Sequence, residues 1–171
     1  MRPLPIVAVA AASLALAVGT ATSASAADTT TTFIVSGGGL AITAPVSKAL
    51  GTGSPGSNTV SAALGNVAVT DTRAGVVGWG ATAASTDFIS GTNTIVKGQV
   101  NYSAGLTIAS SGTAVFTPGT PGAFGATANT AYTATAVVGN NSATWSPTLT
   151  VTIPANALAG TYSATVTHSV S

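Results

Sequence analysis

The stretch Thr148-Leu149-Thr150-Val151-Thr152-Ile153 alternates between hydroxyl and apolar side chains. Successive side chains of a β-strand point to opposite faces, so the pattern predicts a strand with Leu149, Val151 and Ile153 on its buried side. The alternation returns between Thr161 and Val170, where Tyr162, Val166 and His168 share one face with the other even-numbered residues. These two strands anchor the prediction for the rest of the chain.

Similar but weaker patterns occur upstream, where Thr, Val, Gly and Ser dominate and favour half-buried strands. Between the predicted strands, Gly, Pro and Asn mark loops at 49–57 and 117–125, a turn at 71–75 and a hairpin turn at 139–141. About eight to ten short strands predict an all-β fold, a single β-sandwich of immunoglobulin-like or related type, rather than a barrel. The remaining predicted strands are 31–36, 40–43, 59–64, 66–71, 76–84 (with Val77, Trp79, Ala81 and Ala83 on one face), 94–102, 106–109 and 131–138.

The N-terminus has the form of a secretory signal peptide. Met1-Arg2 gives a positive start, Ile6 to Val18 is an apolar run too short to span a membrane, and Ala24-Ser25-Ala26 is an A-x-A cleavage site. We therefore expect residues 1–26 to be removed and residues 27–171 to form one domain, with 27–57 as a less regular part. No second apolar stretch follows, so we expect a secreted protein, extracellular or associated with the cell wall, without a membrane anchor.

Charge excludes several classes of partner. After cleavage the side chains Lys48, Arg73 and Lys97 balance Asp28, Asp71 and Asp87, and the sequence has no Glu and no Cys. Three scattered cations cannot neutralise a run of phosphates, so nucleic acid and polybasic membrane binding are not expected. The surface must be made mostly of Thr, Ser, Asn, Gly and Ala.

The same scarcity argues against catalysis and against cofactors. His168 is the only histidine and lies three residues from the end of the sequence, where it is expected to be a partly buried strand residue hydrogen-bonded to backbone. Asp71 is expected to cap its turn or pair with Arg73, and Asp87 to cap another turn. Two distant aspartates and one imidazole make neither a glycosidase pair nor a calcium or zinc site. We therefore expect no enzyme, no cofactor and no metal.

Trp79 and Trp145 are the only tryptophans, and each has two interpretations. They can anchor the core of a sandwich, which the apolar neighbours of Trp79 favour. Exposed, they could instead stack on sugar rings as ligand contacts.

Two segments resemble a known family. Val67 to Gly75, which contains the turn Asp71-Thr72-Arg73, precedes Gly78-Trp79, and Thr144 to Pro154 contains Trp145. With Gly160-Thr161-Tyr162 and the closing strand, these residues resemble the WxL-domain-like secreted proteins of Gram-positive bacteria, in particular short actinobacterial versions, over roughly 64–170. The resemblance implies a surface β-domain held non-covalently at the cell wall, in which Trp79 and Trp145 match the two family tryptophans. The residues after each tryptophan depart from the family pattern, so fold and export carry over better than wall binding.

Three functions remain to be separated. One is a non-catalytic surface domain that contacts peptidoglycan, another wall glycan or surface proteins through a neutral Thr/Ser/Asn face. Another is a structural subunit that self-assembles through sheet edges. The last, a secreted enzyme or an inhibitor presenting the loop 117–125, has the least support.

Overall fold

The computed structural model describes residues 29–56 and 59–171. Chain contacts divide the protein into two units, 1–34 and 35–171. In the first, residues 29–34 have no regular structure and are exposed. The predicted signal peptide, residues 1–26, lies outside the described residues. None of the described segments forms a helix long and apolar enough to cross a membrane.

The second unit is built of antiparallel strands, as predicted, with one 3₁₀ turn at Lys97–Gln99. The described residues contain twelve strands rather than eight to ten. They are β1 Leu40–Thr43, β2 Thr59–Ala63, β3 Val67–Asp71, β4 Trp79–Ser85, β5 Phe88–Ser90, β6 Asn93–Ile95, β7 Val100–Ser103, β8 Thr107–Pro118, β9 Gly122–Ala123, β10 Asn129–Trp145, β11 Thr148–Thr152 and β12 Val166–Val170.

The strands form two main sheets and one small hairpin. The first sheet has the order β1-β3-β10-β4-β12, with β8 also paired to β10. The second has the order β2-β11-β7-β9, and β5 pairs with β6 in the hairpin. This arrangement is a sandwich-like all-β fold, whose alternating strands send apolar side chains inward from both sheets.

The longest strand, β10, organises the first sheet because it bends back on itself. Tyr132 and Trp145 lie thirteen positions apart on it, which a straight strand would make about 43 Å. Their rings are nevertheless stacked with centroids 4.6 Å apart. The bend lies where the pairing with β8 shifts register on either side of Val138. There Ala136 and Gly139 have left-handed φ values of 49° and 72°.

Three predicted elements are therefore corrected. Gly139-Asn140-Asn141 is a bulge within β10 and not a hairpin turn, since β8 and β3 continue the pairing beyond it. Val77 is 66% exposed and precedes β4, so the predicted face of that strand begins only at Trp79. The single strand predicted over 94–102 is divided by the 3₁₀ turn into β6 and β7.

The two ends of the predicted pattern also differ. The segment 31–36 is not a strand, because no other described strand pairs with it. The alternation from Thr161 to Val170 is a continuous strand only over β12, although Ser163 makes an isolated bridge to Ile89 upstream of it.

The core fills the space between the sheets. Its largest fully buried side chains come from both sheets, and the long bent strand contributes two of them. They are Trp145, Tyr102, Tyr132, Leu149, Val67, Val69, Val100 and Pro147. Leu149 and Val151 point into it from β11, as predicted, whereas Thr148, Thr150 and Thr152 point outward.

Candidate functional site

The Asp71-Thr72-Arg73 turn belongs to a buried polar network. Arg73 donates to both carboxylate oxygens of Asp71, from Nε to Oδ1 and from Nη2 to Oδ2, each at 2.9 Å. The backbone N–H of Arg73 also donates to Oδ1 at 3.0 Å, so the carboxylate both caps the turn and forms the ion pair. The hydrogen bond from the Arg73 side chain lowers the pKa of Asp71 from 3.8 to about 2. The paired carboxylate raises the pKa of Arg73 in return.

Trp79 joins this network from the neighbouring strand. Its indole Nε1 donates to Oδ1 of Asn141 at 2.8 Å. The Asn141 amide donates in turn to Asp71 Oδ2 at 3.4 Å. Trp79 is 4% exposed and Asn141 3% exposed, so the network connects β3, β4 and β10 inside the fold. Thr72 points elsewhere, since its Oγ1 donates to Gly39 O at 3.0 Å and thereby holds the entry to β1.

The second tryptophan belongs to a separate chain of hydrogen bonds. Trp145 Nε1 donates to the Tyr102 hydroxyl at 3.5 Å, and that hydroxyl lies 3.0 Å from His168 Nε2. Burial raises the pKa of Tyr102 to about 12 and lowers the pKa of His168. The predicted hydrogen-bond partner of His168 was backbone, and this prediction is wrong. The side chain of His168 pairs with the hydroxyl of Tyr102.

The remaining aspartate inside the domain caps a loop. Asp87 Oδ1 accepts a hydrogen bond of 2.7 Å from the Lys97 backbone N–H. It therefore links the start of β5 to the 3₁₀ turn. Within the described parts of the chain, no group of three or more His, Cys, Asp or Glu residues could hold a metal ion.

Neither tryptophan offers a ring face to a ligand. Trp145 is fully buried against Tyr132, and Trp79 packs against Phe116 with ring centroids 6.0 Å apart. Both are core anchors. The alternation of the sequence predicted a core position for Trp79, because it shares a strand face with apolar residues. The hydrogen-bond partners of the two indoles could not be predicted, because they lie more than 40 positions away in the sequence.

The outward face of the second sheet carries a regular array of polar side chains, which we call the hydroxyl face. Thr150 on β11 lies opposite Ser61 on β2 and Asn101 on β7, and Ser61 Oγ and Thr150 Oγ1 are 2.8 Å apart. The rows on either side follow the same register. Neighbouring strands are about 4.8 Å apart and same-face residues about 6.7 Å apart along each strand, so the side chains of the array are regularly spaced. Its members are Thr59, Ser61, Asn101, Ser103, Thr148, Thr150 and Thr152, each at least partly exposed.

A groove of about 660 Å³ opens on another side of the fold. One wall is the stretch Thr161–His168, which leads into β12, and the other is the coil Ala44–Gly51. Its floor is apolar and includes Leu64, Phe88 and Leu149. Sequence reasoning missed this groove, because the coil and β12 lie more than 100 positions apart.

No family model matches this chain, and no curated protein matches it significantly.

Proposed function

We propose that this chain is an exported, non-catalytic surface domain that binds the neutral glycan of the cell wall through its hydroxyl face. The hydroxyl face carries this proposal. Six of its members offer a hydroxyl that both donates and accepts, and Asn101 adds an amide. A polysaccharide chain presents the same kind of groups at repeated intervals, so a regularly spaced array can hold several of them at once.

The chemistry of the charged groups supports a binding function over catalysis. Asp71 and Arg73 are engaged with each other, and Asp87 caps a backbone N–H. The only histidine is hydrogen-bonded to the Tyr102 hydroxyl and lines the groove beside apolar side chains. A hydrolytic mechanism would require such groups to converge beside a substrate.

Export and wall association rest on the sequence. The first 26 residues have the composition of a signal peptide, and roughly 64–170 resemble WxL-like domains. Because both tryptophans are buried, stacking on sugar rings cannot supply the affinity expected of exposed aromatics. We therefore expect weak binding per domain that depends on hydrogen bonds and is insensitive to salt.

Co-sedimentation with purified cell wall tests the proposal. The test variant is Thr150→Val with Thr152→Val, which removes two hydroxyls from the hydroxyl face and keeps the β-branched shape. The matched control is Thr113→Val with Thr135→Val, two exposed threonines on β8 and β10. We expect saturable pelleting that the test variant loses by at least fivefold and the control retains. Equal pelleting of both variants, or none by the wild type, would contradict the proposal.

Self-assembly is the second candidate, and the unpaired backbone edge of Tyr162–Val166, which lines the groove, favours it. An edge strand presents unpaired N–H and C=O groups that another strand can use. The neutral side-chain charge expected after export leaves little repulsion between copies.

A further inference from the structure

The segment Thr31–Ser36, which we call the arm, has the composition of a strand but no partner. Phe33, Ile34 and Val35 are 88%, 91% and 76% exposed. Aromatic and β-branched residues in succession favour a pleated strand in contact with an apolar surface. Among the described residues this is the only run of three consecutive large hydrophobic side chains that are all exposed. An exposed run of this kind indicates an interaction segment.

The entry to β1 is fixed where the arm joins it. Gly38 N donates to Thr72 O at 2.8 Å, and Thr72 N donates to Gly39 O at 2.9 Å. A Cβ on Gly38 would collide with the Thr72 side chain, so the glycine is needed for this close approach. Gly38 and Gly39, which follow the arm in sequence, are therefore held against Thr72.

The other half of the proposed contact is the outer edge of Tyr162–Val166, which we call the open edge. Farther along the chain, the outer side of β12 lies beside β1. Ser163 exchanges hydrogen bonds with Ile89 at 3.0 and 3.1 Å, and Ser171 exchanges them with Gly80 at 2.8 and 3.0 Å. Thr165 O accepts from Thr86 N at 3.0 Å in the same sense. In an antiparallel strand, the N–H and C=O groups of successive residues point to opposite sides of the strand. The odd-numbered residues here form hydrogen bonds toward β4 and β5. The even-numbered residues direct their N–H and C=O groups toward the groove.

No described strand pairs with the open edge on the groove side. The groove is within the size range of binding clefts, about 300 to 1,000 Å³. Among the described residues that line it, Lys48 alone carries a permanent charge. The floor residues Leu64, Phe88 and Leu149 suit an apolar strand rather than a charged peptide.

We propose that the arm of one copy adds as a β-strand to the open edge of a second copy. Backbone hydrogen bonds would form with the even-numbered residues, while alternate side chains of the arm, Phe33 and Val35, enter the groove. A single copy has both an exposed donor and an empty acceptor, and this complementarity identifies a second copy as the occupant. Donor and acceptor are different surfaces, so the contact is heterologous and joins copies head to tail. The proposal is independent of the hydroxyl face.

Two variants separate the halves of the contact. Phe33→Asp with Val35→Asp removes the donor and leaves the open edge intact. Ala164→Pro removes an N–H that points into the groove, and proline is tolerated at the outer side of an edge strand. Thr30→Asp is the control for added charge outside the arm. Circular dichroism and the unfolding midpoint establish that each variant is folded.

The measurement is molar mass by light scattering over a concentration series of the exported domain, residues 27–171. We expect the wild type and Thr30→Asp to form oligomers as concentration rises, and each of the two variants to remain monomeric. Mixing the variants should give a 1:1 heterodimer that grows no further, because one retains only the donor and the other only the acceptor. Folded variants that stay monomeric when mixed, unchanged oligomers in both, or a monomeric wild type would each overturn the proposal.

Wall pelleting of the same variants keeps this result distinct from the proposed function. Monomeric arm variants that still pellet with cell wall support both proposals. Loss of pelleting by Thr150→Val with Thr152→Val, together with unchanged oligomers, assigns the two interactions to different surfaces. Arm variants that remain oligomeric and pellet normally would overturn the strand-addition proposal alone.

Discussion

The two tryptophans lie in polar networks that satisfy their indoles by different means. At Trp79 the network ends in an ion pair, in which Asp71 accepts from Arg73 and from Asn141. At Trp145 it passes through Tyr102 to a neutral His168, whose Nδ1 is buried and has no hydrogen-bond partner. The first network is complete and ionic, whereas the second leaves one polar atom unsatisfied. Comparable indoles are thus buried at different electrostatic cost.

The geometry assigns roles within the second network. If Trp145 donates to the Tyr102 oxygen, the tyrosine O–H is free to donate to His168 Nε2, and Nδ1 then carries the imidazole proton. That N–H is the atom without a partner. Burial lowers the pKa of His168, which favours this neutral form of the imidazole.

Truncation of Trp145 should have the largest effect. Trp145→Ala removes a fully buried ring stacked on Tyr132, and we expect a loss of about 3 to 5 kcal/mol in the free energy of unfolding. Trp79→Ala is the matched variant in the other network and should cost less, because Trp79 packs against the partly buried Phe116, whereas Trp145 and Tyr132 are both fully buried. Denaturant titration measures both. A smaller loss for Trp145→Ala than for Trp79→Ala would contradict this ranking.

Breaking the ion pair should have the next largest effect. Asp71→Ala leaves Arg73 with only the Gly78 carbonyl and Asn141 with only the Gly139 carbonyl as acceptors, although Arg73 is 32% exposed and can be partly rehydrated. We expect a loss of about 2 to 3 kcal/mol, less than the cost of breaking a fully buried pair. The double variant with Arg73→Met should recover part of the loss, because it also removes the unpaired cation. A double variant less stable than the single one would show that the pair is not the source of the effect.

The fold was predictable where local pattern and long-range pairing agree, as in β11. There the alternation of Thr with Leu149 and Val151 distinguishes an outer face from an inner one. It was not predictable at Gly139–Asn141, because glycine and asparagine suit a bulge as well as a hairpin turn. The pairing with β8 selects the bulge, because it continues on both sides of these residues. Gly112 of β8 permits this close approach, since a Cβ there would collide with the Asn140 carbonyl.

The candidate site was predictable only in part. The Asp71–Arg73 pair is local and could be inferred from the turn, and the hydroxyl face follows from the threonines of β11. The partner of His168 could not be inferred, since Tyr102 is 66 positions away and no motif connects them. The arm shows the opposite kind of error. Its residues favour a β-strand, but it has no partner strand among the described residues and is not a strand in the structure.

Loss of the bridging hydroxyl should have a smaller effect than loss of either ring or of the ion pair. Tyr102→Phe keeps the ring contacts with Phe124 and His168 but removes the acceptor of the Trp145 indole. We expect about 1 to 2 kcal/mol of destabilisation, because the Trp145 indole and His168 Nε2 both lose their hydrogen-bond partner. The near-ultraviolet circular dichroism of Trp145 should change while the secondary structure remains. Tyr162→Phe, whose partly exposed hydroxyl donates only to Leu158 O, is the control and should be nearly neutral.

The smallest effect, and the one that best separates the networks, is their response to pH. The pKa of His168 is lower in the folded protein than its ordinary value of 6.5, so below about pH 6.5 the unfolded chain binds the proton more readily. Stability should therefore fall as the pH drops below 6.5 and level off once the folded-state pKa is passed. Asp71 titrates at about 2 when folded and at 3.8 in a model peptide, so its contribution persists to about pH 4 and is lost as the pH falls toward 2.

Unfolding midpoints from pH 8 to pH 2 should thus decline in two separate steps. His168→Gln removes an ionisable group and should abolish the step below pH 6.5 while the acidic one remains. Asp71→Asn should do the reverse, weakening only the acidic step. If His168→Gln left the upper step in place, another group would have to titrate there. Since His168 is the only histidine in the sequence, the neutral network would then not be the pH-sensitive one, and the contrast between the two tryptophan environments would fail.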